Sequence, residues 1–193
     1  SDVYKRQVLT SGGFQYFIGK VTADSAELWK TNGTSAGTSL VKRIKVDSYW
    51  WLIDLLYADA GNVYFLISYE NDMKGYMWKS DGTAAGTVQF KILNDHWREY
   101  KRHSLLNNGK YYVVFDRGGN FNLLVSDGTA AGTFLTTFGP DNYLDGLFAV
   151  GNQVVLGDMG QMSWLGFYKT DGTPGNGSHF TPEEYGSYNG NLL

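Results

Sequence analysis

The sequence predicts an all-β fold: a β-propeller-like array of about four four-stranded antiparallel blades, an open or truncated part of a larger propeller. Three observations carry this expectation. A pattern recurs four times, as Glu27-Leu-Trp-Lys-Thr-Asn-Gly-Thr-Ser-Ala-Gly-Thr38, Tyr76-Met-Trp-Lys-Ser-Asp-Gly-Thr-Ala-Ala-Gly-Thr87, Asn122-Leu-Leu-Val-Ser-Asp-Gly-Thr-Ala-Ala-Gly-Thr133 and Gly166-Phe-Tyr-Lys-Thr-Asp-Gly-Thr-Pro-Gly-Asn-Gly-Ser178. Its turn glycines, Gly33, Gly82, Gly128 and Gly172, lie 49, 46 and 44 residues apart, a period that fits four short strands per repeat. Finally, 25 glycines against 3 prolines, with 16% aromatic residues, describe short strands joined by glycine turns rather than a disordered chain.

The elements follow in order within each repeat. A second marker precedes each copy of the pattern, at Gly13-Phe-Gln-Tyr-Phe, Gly61-Asn-Val-Tyr-Phe, Gly109-Lys-Tyr-Tyr-Val and Gly151-Asn-Gln-Val-Val. In the second repeat, residues 55–58 form a first strand and 59–62 a turn. A continuous apolar strand covers 63–68, a polar loop 69–75, a third strand 76–79 and a closing strand 87–93. Unbroken apolar runs such as Val63-Tyr-Phe-Leu-Ile67 predict burial on both faces, which stacked sheets supply and an isolated hairpin does not. The repeats divide the chain at about residues 8–44, 45–93, 94–138 and 139–180, with the start of a fifth at 181–193.

The turn has a local explanation. Asn32-Gly33, Asp81-Gly82, Asp127-Gly128 and Asp171-Gly172 are strong hairpin signals, because both positions tolerate positive φ. The Asp or Asn side chain also accepts from the backbone just ahead, forming an Asx-turn. Gly37, Gly86 and Gly132 are expected to supply a second left-handed position before the closing strand.

At these residues the chain resembles the bacterial repeats named for Glu-Leu-Trp-x-x-Asp-Gly-Thr-x-x-Gly-Thr. The first copy departs at Asn32, the second matches from Trp78 onward, the third carries Leu124 in place of Trp, and the fourth keeps Asp171-Gly-Thr alone. The resemblance implies a propeller-like array in large secreted or surface proteins of bacteria, hence an extracellular location, with the remaining blades of a parent chain as neighbours. It implies no catalytic residues. Residues 1–7, Ser-Asp-Val-Tyr-Lys-Arg-Gln, resemble a translated sequencing adapter, fit no repeat and are set aside as non-native. Both ends of the sequence read as cuts.

In an up-and-down repeat the turns alternate between two rims. The Gly-Asn and Asp-Gly-Thr turns share one, nearly uniform from repeat to repeat, and are expected to be structural. The second-to-third-strand loops and the repeat-to-repeat connections share the other, and varied loops on a rigid scaffold are where binding concentrates. The connections, residues 47–54, 94–100, 140–145 and 181–185, each combine aromatic and acidic side chains. Trp50, Trp51, Asp54, Trp97, Asp141, Tyr143 and Trp164 are the candidate ligand-binding residues, for stacking on sugar rings or holding a peptide. The competing reading makes these aromatics core plugs between blades, as Trp29 and Trp78 are expected to be within their strands. Thr181-Pro-Glu-Glu184 carries a capping pattern and predicts a short helical turn.

Several function classes are excluded or disfavoured. Cysteine is absent, so there is no disulfide framework, thiolate metal site or cysteine nucleophile. A net charge of −3 provides no basic footprint for nucleic acid, and no apolar run is long enough to span a bilayer as a helix. No hydrolase, phosphate-binding or dinucleotide motif is present, and His96, His103 and His179 lack metal-ligand spacing. No cofactor is expected; Ca²⁺ on the rim carboxylates is the alternative, and no Ca²⁺-loop run supports it. The expected function is a non-catalytic extracellular binding module that recognises a glycan or protein ligand. The alternatives are a structural spacer of a surface protein and, less favoured, part of a propeller-fold hydrolase.

Overall fold

The computed structural model describes residues 8–22, 24–46, 51–69, 73–94, 100–116, 121–138, 146–157 and 167–180. The described residues form sixteen strands and no helix. The helical turn expected at residues 181–184 and the fifth repeat at 181–193 lie outside them. The strands make four separate four-stranded antiparallel sheets, each paired in sequence order. The fold is therefore all-β, of the β-propeller type, and the chain divides into two compact units, Ser1–Arg98 and Glu99–Leu193.

The first unit holds two sheets. One is built from β1 (Leu9–Ser11), β2 (Phe14–Thr22), β3 (Ser25–Thr31) and β4 (Ser39–Lys45). The other is built from β5 (Trp51–Ala58), β6 (Val63–Tyr69), β7 (Lys74–Ser80) and β8 (Val88–Leu93). Side chains alternate across a strand, so each sheet has a leading face, turned toward the next sheet of its unit, and a trailing face. Tyr16, Ala26, Leu28 and Ile44 on the leading face of the first sheet form one core with Leu55, Val63, Phe65 and Ile67 on the trailing face of the second. Trp78 packs against this core and stacks on Phe65 at a centroid distance of 6.0 Å. Tyr64 and Leu66, on the opposite face of β6, are buried as well, which accounts for the unbroken apolar run.

The second unit repeats the plan. Its sheets are β9 (Tyr100–Asn107), β10 (Lys110–Asp116), β11 (Phe121–Ser126) and β12 (Phe134–Phe138), then β13 (Gly146–Val150), β14 (Gln153–Gly157), β15 (Phe167–Thr170) and β16 (Gly177–Phe180). Tyr112, Val114, Leu123 and Val125 on the leading face of the third sheet pack against Val154 and Leu156 of the fourth.

Register corrects the expected alignment of the fourth repeat. Lys30 lies opposite Tyr16, Lys79 opposite Tyr64 and Val125 opposite Tyr112. In the fourth sheet Lys169 lies opposite Val155 rather than Val154. Asn152, not Gly151, therefore takes the place of Gly13, Gly61 and Gly109. A one-residue slip exchanges the two faces of a strand, so Val154 and Leu156 face the core and Val155 faces away from it. The hairpin explains the slip. Asn108 and Gly109 both have positive φ, whereas in the Gly151-Asn152 connection only Gly151 does, at 60°.

Candidate functional site

The uniform rim is a set of closed hydrogen-bonded loops. In the second repeat, the Asp81 carboxylate accepts from the Thr83 backbone N–H at 2.9 Å and from its hydroxyl at 2.7 Å. Thr83 Oγ1 accepts from the Gly86 N–H, and the Thr87 hydroxyl donates to the Thr83 carbonyl. Ser80 accepts from the Gly82 N–H and shares a hydrogen bond with Thr87, which closes the base of the loop. The same network recurs around Asn32 and Asp127. Around Asp171 it is partial, with Asn176 donating to the second carboxylate oxygen.

Two expectations about these turns are corrected. Positive φ falls on the glycine alone, at 90°, 85°, 84° and 72° for Gly33, Gly82, Gly128 and Gly172. Asn32, Asp81, Asp127 and Asp171 keep negative φ and act through their side chains. Gly37, Gly86 and Gly132 are not left-handed either. They are glycine because the side chains of Asn32, Asp81 and Asp127 occupy the space where a Cβ would stand.

Hydrogen bonding sets the acidity of the turn. The Thr83 hydroxyl and then its N–H hold the Asp81 carboxyl below its ordinary range. Burial raises the Asp127 carboxyl, but the Thr129 hydroxyl and N–H outweigh it, and the net shift is downward. The Thr173 N–H leads the same lowering at Asp171. Each carboxylate is thus engaged by its own loop, and no three His, Asp or Glu side chains converge as a metal site among the described residues.

The same rim joins neighbouring sheets, a role the sequence reading missed. Lys30 reaches across to donate to the Gly82 carbonyl at 2.8 Å, and Lys42 donates to the carbonyls of Ala84 and Thr87. In the second unit Lys110 donates to the Asp171 and Gly172 carbonyls at 3.2 and 2.9 Å. The hydroxyls of Tyr16 and Tyr112 press on Gly82 and Gly172, where a Cβ would overlap them. Burial and then the nearby Asp171 carboxylate raise the Tyr112 hydroxyl above its usual range, and no hydrogen-bond partner reaches it among the described residues. The visible signal was a tyrosine three places after the marker glycine, at Tyr16 and Tyr112.

On the trailing face of the first sheet, Glu27 accepts from Arg43 and from the Trp29 indole N–H. The Arg43 hydrogen bond leads in lowering the Glu27 carboxyl. Glu27 is largely covered while Arg43 is 64% exposed, so the pair is a solvent-facing clasp over the strand.

Of the candidate ligand-binding residues, Trp50, Trp97, Asp141, Tyr143 and Trp164 lie outside the described residues. Trp51 and Asp54, assigned to a connecting loop, belong instead to β5, whose backbone pairs Trp51 with Tyr69 and Asp54 with Leu66. The apolar residues around Asp54 extend the strand beyond the expected start at residue 55. Asp54 is half-buried on the side of Leu66, opposite the side on which Ile53 and Leu55 enter the core.

No protein-family profile and no curated protein matches the chain. Solved structures do. A structure from a study of two prolyl endopeptidases shares 12% identity over 91% of this chain and 26% of its own, with a TM-score of 0.50. Prolyl oligopeptidase B from Galerina marginata, bound to a 35mer substrate, shares 14% identity over 86% of this chain and 24% of its own, with a TM-score of 0.44. A bifunctional GH43-CE protein from Bacteroides eggerthii shares 13% over 90% and 27%, with a TM-score of 0.45. The chain thus spans about a quarter of the length of these proteins, and the likeness to the first is one of fold alone.

Proposed function

We propose that the chain is a non-catalytic binding module built from Asx-Gly-Thr blades, belonging to the repeat family that its turn motif resembles and to an extracellular bacterial protein. Its ligand, a glycan or a peptide, is met by the rim of repeat-to-repeat connections. The observation that supports this reading is the chemistry of the opposite rim. There the Asx, Ser and Thr side chains are engaged within each loop, and loop carbonyls accept from the adjoining sheet within each unit. A rim of that kind holds a scaffold together. Trp51 and Asp54 apart, which belong to β5, the aromatic and acidic residues that vary between repeats fall in sequence between the strands.

Glycan and peptide arrays test the proposal. Wild-type chain should bind a defined subset of probes, and Trp50→Ala or Trp97→Ala should abolish binding with an unchanged far-UV spectrum. Lys42→Met, on the turn rim, should bind as wild type does. No binding to any probe by a folded chain would favour the spacer reading instead.

A further inference from the structure

Three Asn-Gly pairs lie within the described residues: Asn32-Gly33, Asn108-Gly109 and Asn176-Gly177. In such a pair the glycine nitrogen can attack the asparagine side-chain amide carbon, and glycine puts no Cβ in the way. The fold decides which pair reacts, because the nitrogen must shed its proton and the amide must swing to meet it. Asn32 is held on both counts. Its Oδ1 accepts from the Thr34 N–H and hydroxyl, and the Gly33 N–H donates to Thr31 Oγ1. Asn176 donates from Nδ2 to the Asp171 carboxylate at 2.8 Å and from its backbone N–H to the Thr173 carbonyl. Its partner Gly177 belongs to β16, paired with Thr170 and lying against the Tyr168 hydroxyl.

Asn108 differs. It is exposed at the tip of the β9–β10 hairpin, with φ of 48° followed by 73° at Gly109, the left-handed pair of a two-residue turn. Among the described residues no hydrogen bond holds its side chain or the Gly109 N–H, and nothing lies within 4 Å of where a Gly109 Cβ would stand. The residues on either side of this tip join the two sheets of the second unit. Asn107 donates from Nδ2 to the Gly151 and Gln153 carbonyls at 3.3 and 3.1 Å, and Lys110 donates to those of Asp171 and Gly172.

We propose that Asn108 is a site of spontaneous hydrolysis to aspartate and isoaspartate, and that the isoaspartate form loosens the joint between the third and fourth sheets. The Gly109 nitrogen gives its proton to water and bonds to Asn108 Cγ, while the amide nitrogen leaves as ammonia and a cyclic imide remains. Water then opens the imide. Breaking the bond from nitrogen to Cγ leaves aspartate on an unchanged backbone. Breaking the bond from nitrogen to the backbone carbonyl carbon leaves isoaspartate, with the main chain rerouted through Cγ and one carbon longer. One water is consumed and one ammonia released, with no change in oxidation state. The extra carbon sits inside a turn whose length sets strand register, so it displaces Asn107 and Lys110 from their acceptors.

Ageing the full chain at mildly alkaline pH, with peptide mapping by mass spectrometry, tests this. Asn108 should convert first, with Asn32 and Asn176 slower by about tenfold for each hydrogen bond that must break; in urea the three rates should converge. As isoaspartate accumulates at position 108, amide exchange should quicken in residues 146–157 and stay unchanged in the first unit. Asn108→Gly, which suits the positive φ, should age without that change. A native rate at Asn108 no faster than at Asn32 or Asn176 would overturn the assignment of the site. Unchanged exchange in residues 146–157 despite accumulated isoaspartate, or the same quickening in Asn108→Gly, would overturn the loosening of the joint.

Discussion

Gly82 and Gly33 occupy the same position in successive turns, with φ of 85° and 90°. Alanine in either place suffers left-handed strain of about 1–2 kcal/mol. At Gly33 that is the whole effect, because nothing lies within 4 Å of the added methyl. At Gly82 the methyl lands on the Tyr16 hydroxyl, with Lys30 Nζ 3.5 Å away. Tyr16 is 5% exposed and part of the core of the first unit, so it moves only by displacing its neighbours. Overpacking of this kind adds about 1–3 kcal/mol. Gly82→Ala should therefore cost about 2–5 kcal/mol against about 1–2 for Gly33→Ala. Urea unfolding followed by far-UV dichroism measures both, with the shift in midpoint at constant slope as the readout. Tyr16→Phe removes the clashing oxygen, so in that background the cost of Gly82→Ala should fall toward that of Gly33→Ala, a coupling that a double-mutant cycle isolates. Equal costs at the two glycines, or no relief from Tyr16→Phe, would refute the placement of Tyr16 against the turn.

Three further outcomes follow from the same rim. Asp81, Asp127 and Asp171 all have lowered carboxyl pKa values in the folded chain. Their contribution to stability is complete above the unfolded carboxylate value of about 4, and is lost as pH falls through the lowered folded values. Asn32 shows that an amide serves the same loop, so the triple Asp→Asn variant should unfold at a lower pH than wild type in a dichroism-monitored acid titration; coincident acid limbs would count against this. Gly86→Ala should expel the Asp81 side chain and break its bonds to Thr83, costing about 1–3 kcal/mol. Gly61→Ala, which meets open space at negative φ, should be nearly neutral, and thermal melts of the two variants separate them. Lys110→Met should lose the bonds to the Asp171 and Gly172 carbonyls and destabilise the second unit by about 1–2 kcal/mol, measured as faster amide exchange in residues 167–180 with exchange in the first unit unchanged.

Much of the fold was legible because short-range physics specifies it. The repeat period and the Asx-Gly signal located the strands, and the unbroken run from Val63 to Ile67 announced a strand buried on both faces. What escaped was set by atoms distant in sequence or by a single-residue slip. Gly151 matches the marker glycines by letter, yet its hairpin places Asn152 in their position and reverses which of Val154 and Val155 enters the core. Gly86 appeared to need backbone freedom, whereas the Asp81 side chain five residues earlier takes its Cβ space. The candidate site was less legible still. Trp51 and Asp54 look like connection residues beside Ser48 and Tyr49, but strand pairing with β6 extends through them.

The inter-sheet lysines show why a motif read along the chain understates its own meaning. In the first sheet the donor is Lys30, within the repeated pattern. In the third sheet that position is Val125, and the donor is Lys110, on the neighbouring strand at the place of Phe14. Both reach the glycine carbonyl of the next Asx-Gly turn. That carbonyl lies beyond the strand ladder and needs a donor if it is to be covered. The requirement therefore belongs to the turn of one sheet, and the sheet before it meets the requirement from whichever strand presents a lysine. An Asx-Gly-Thr turn thus specifies a joint as well as a bend.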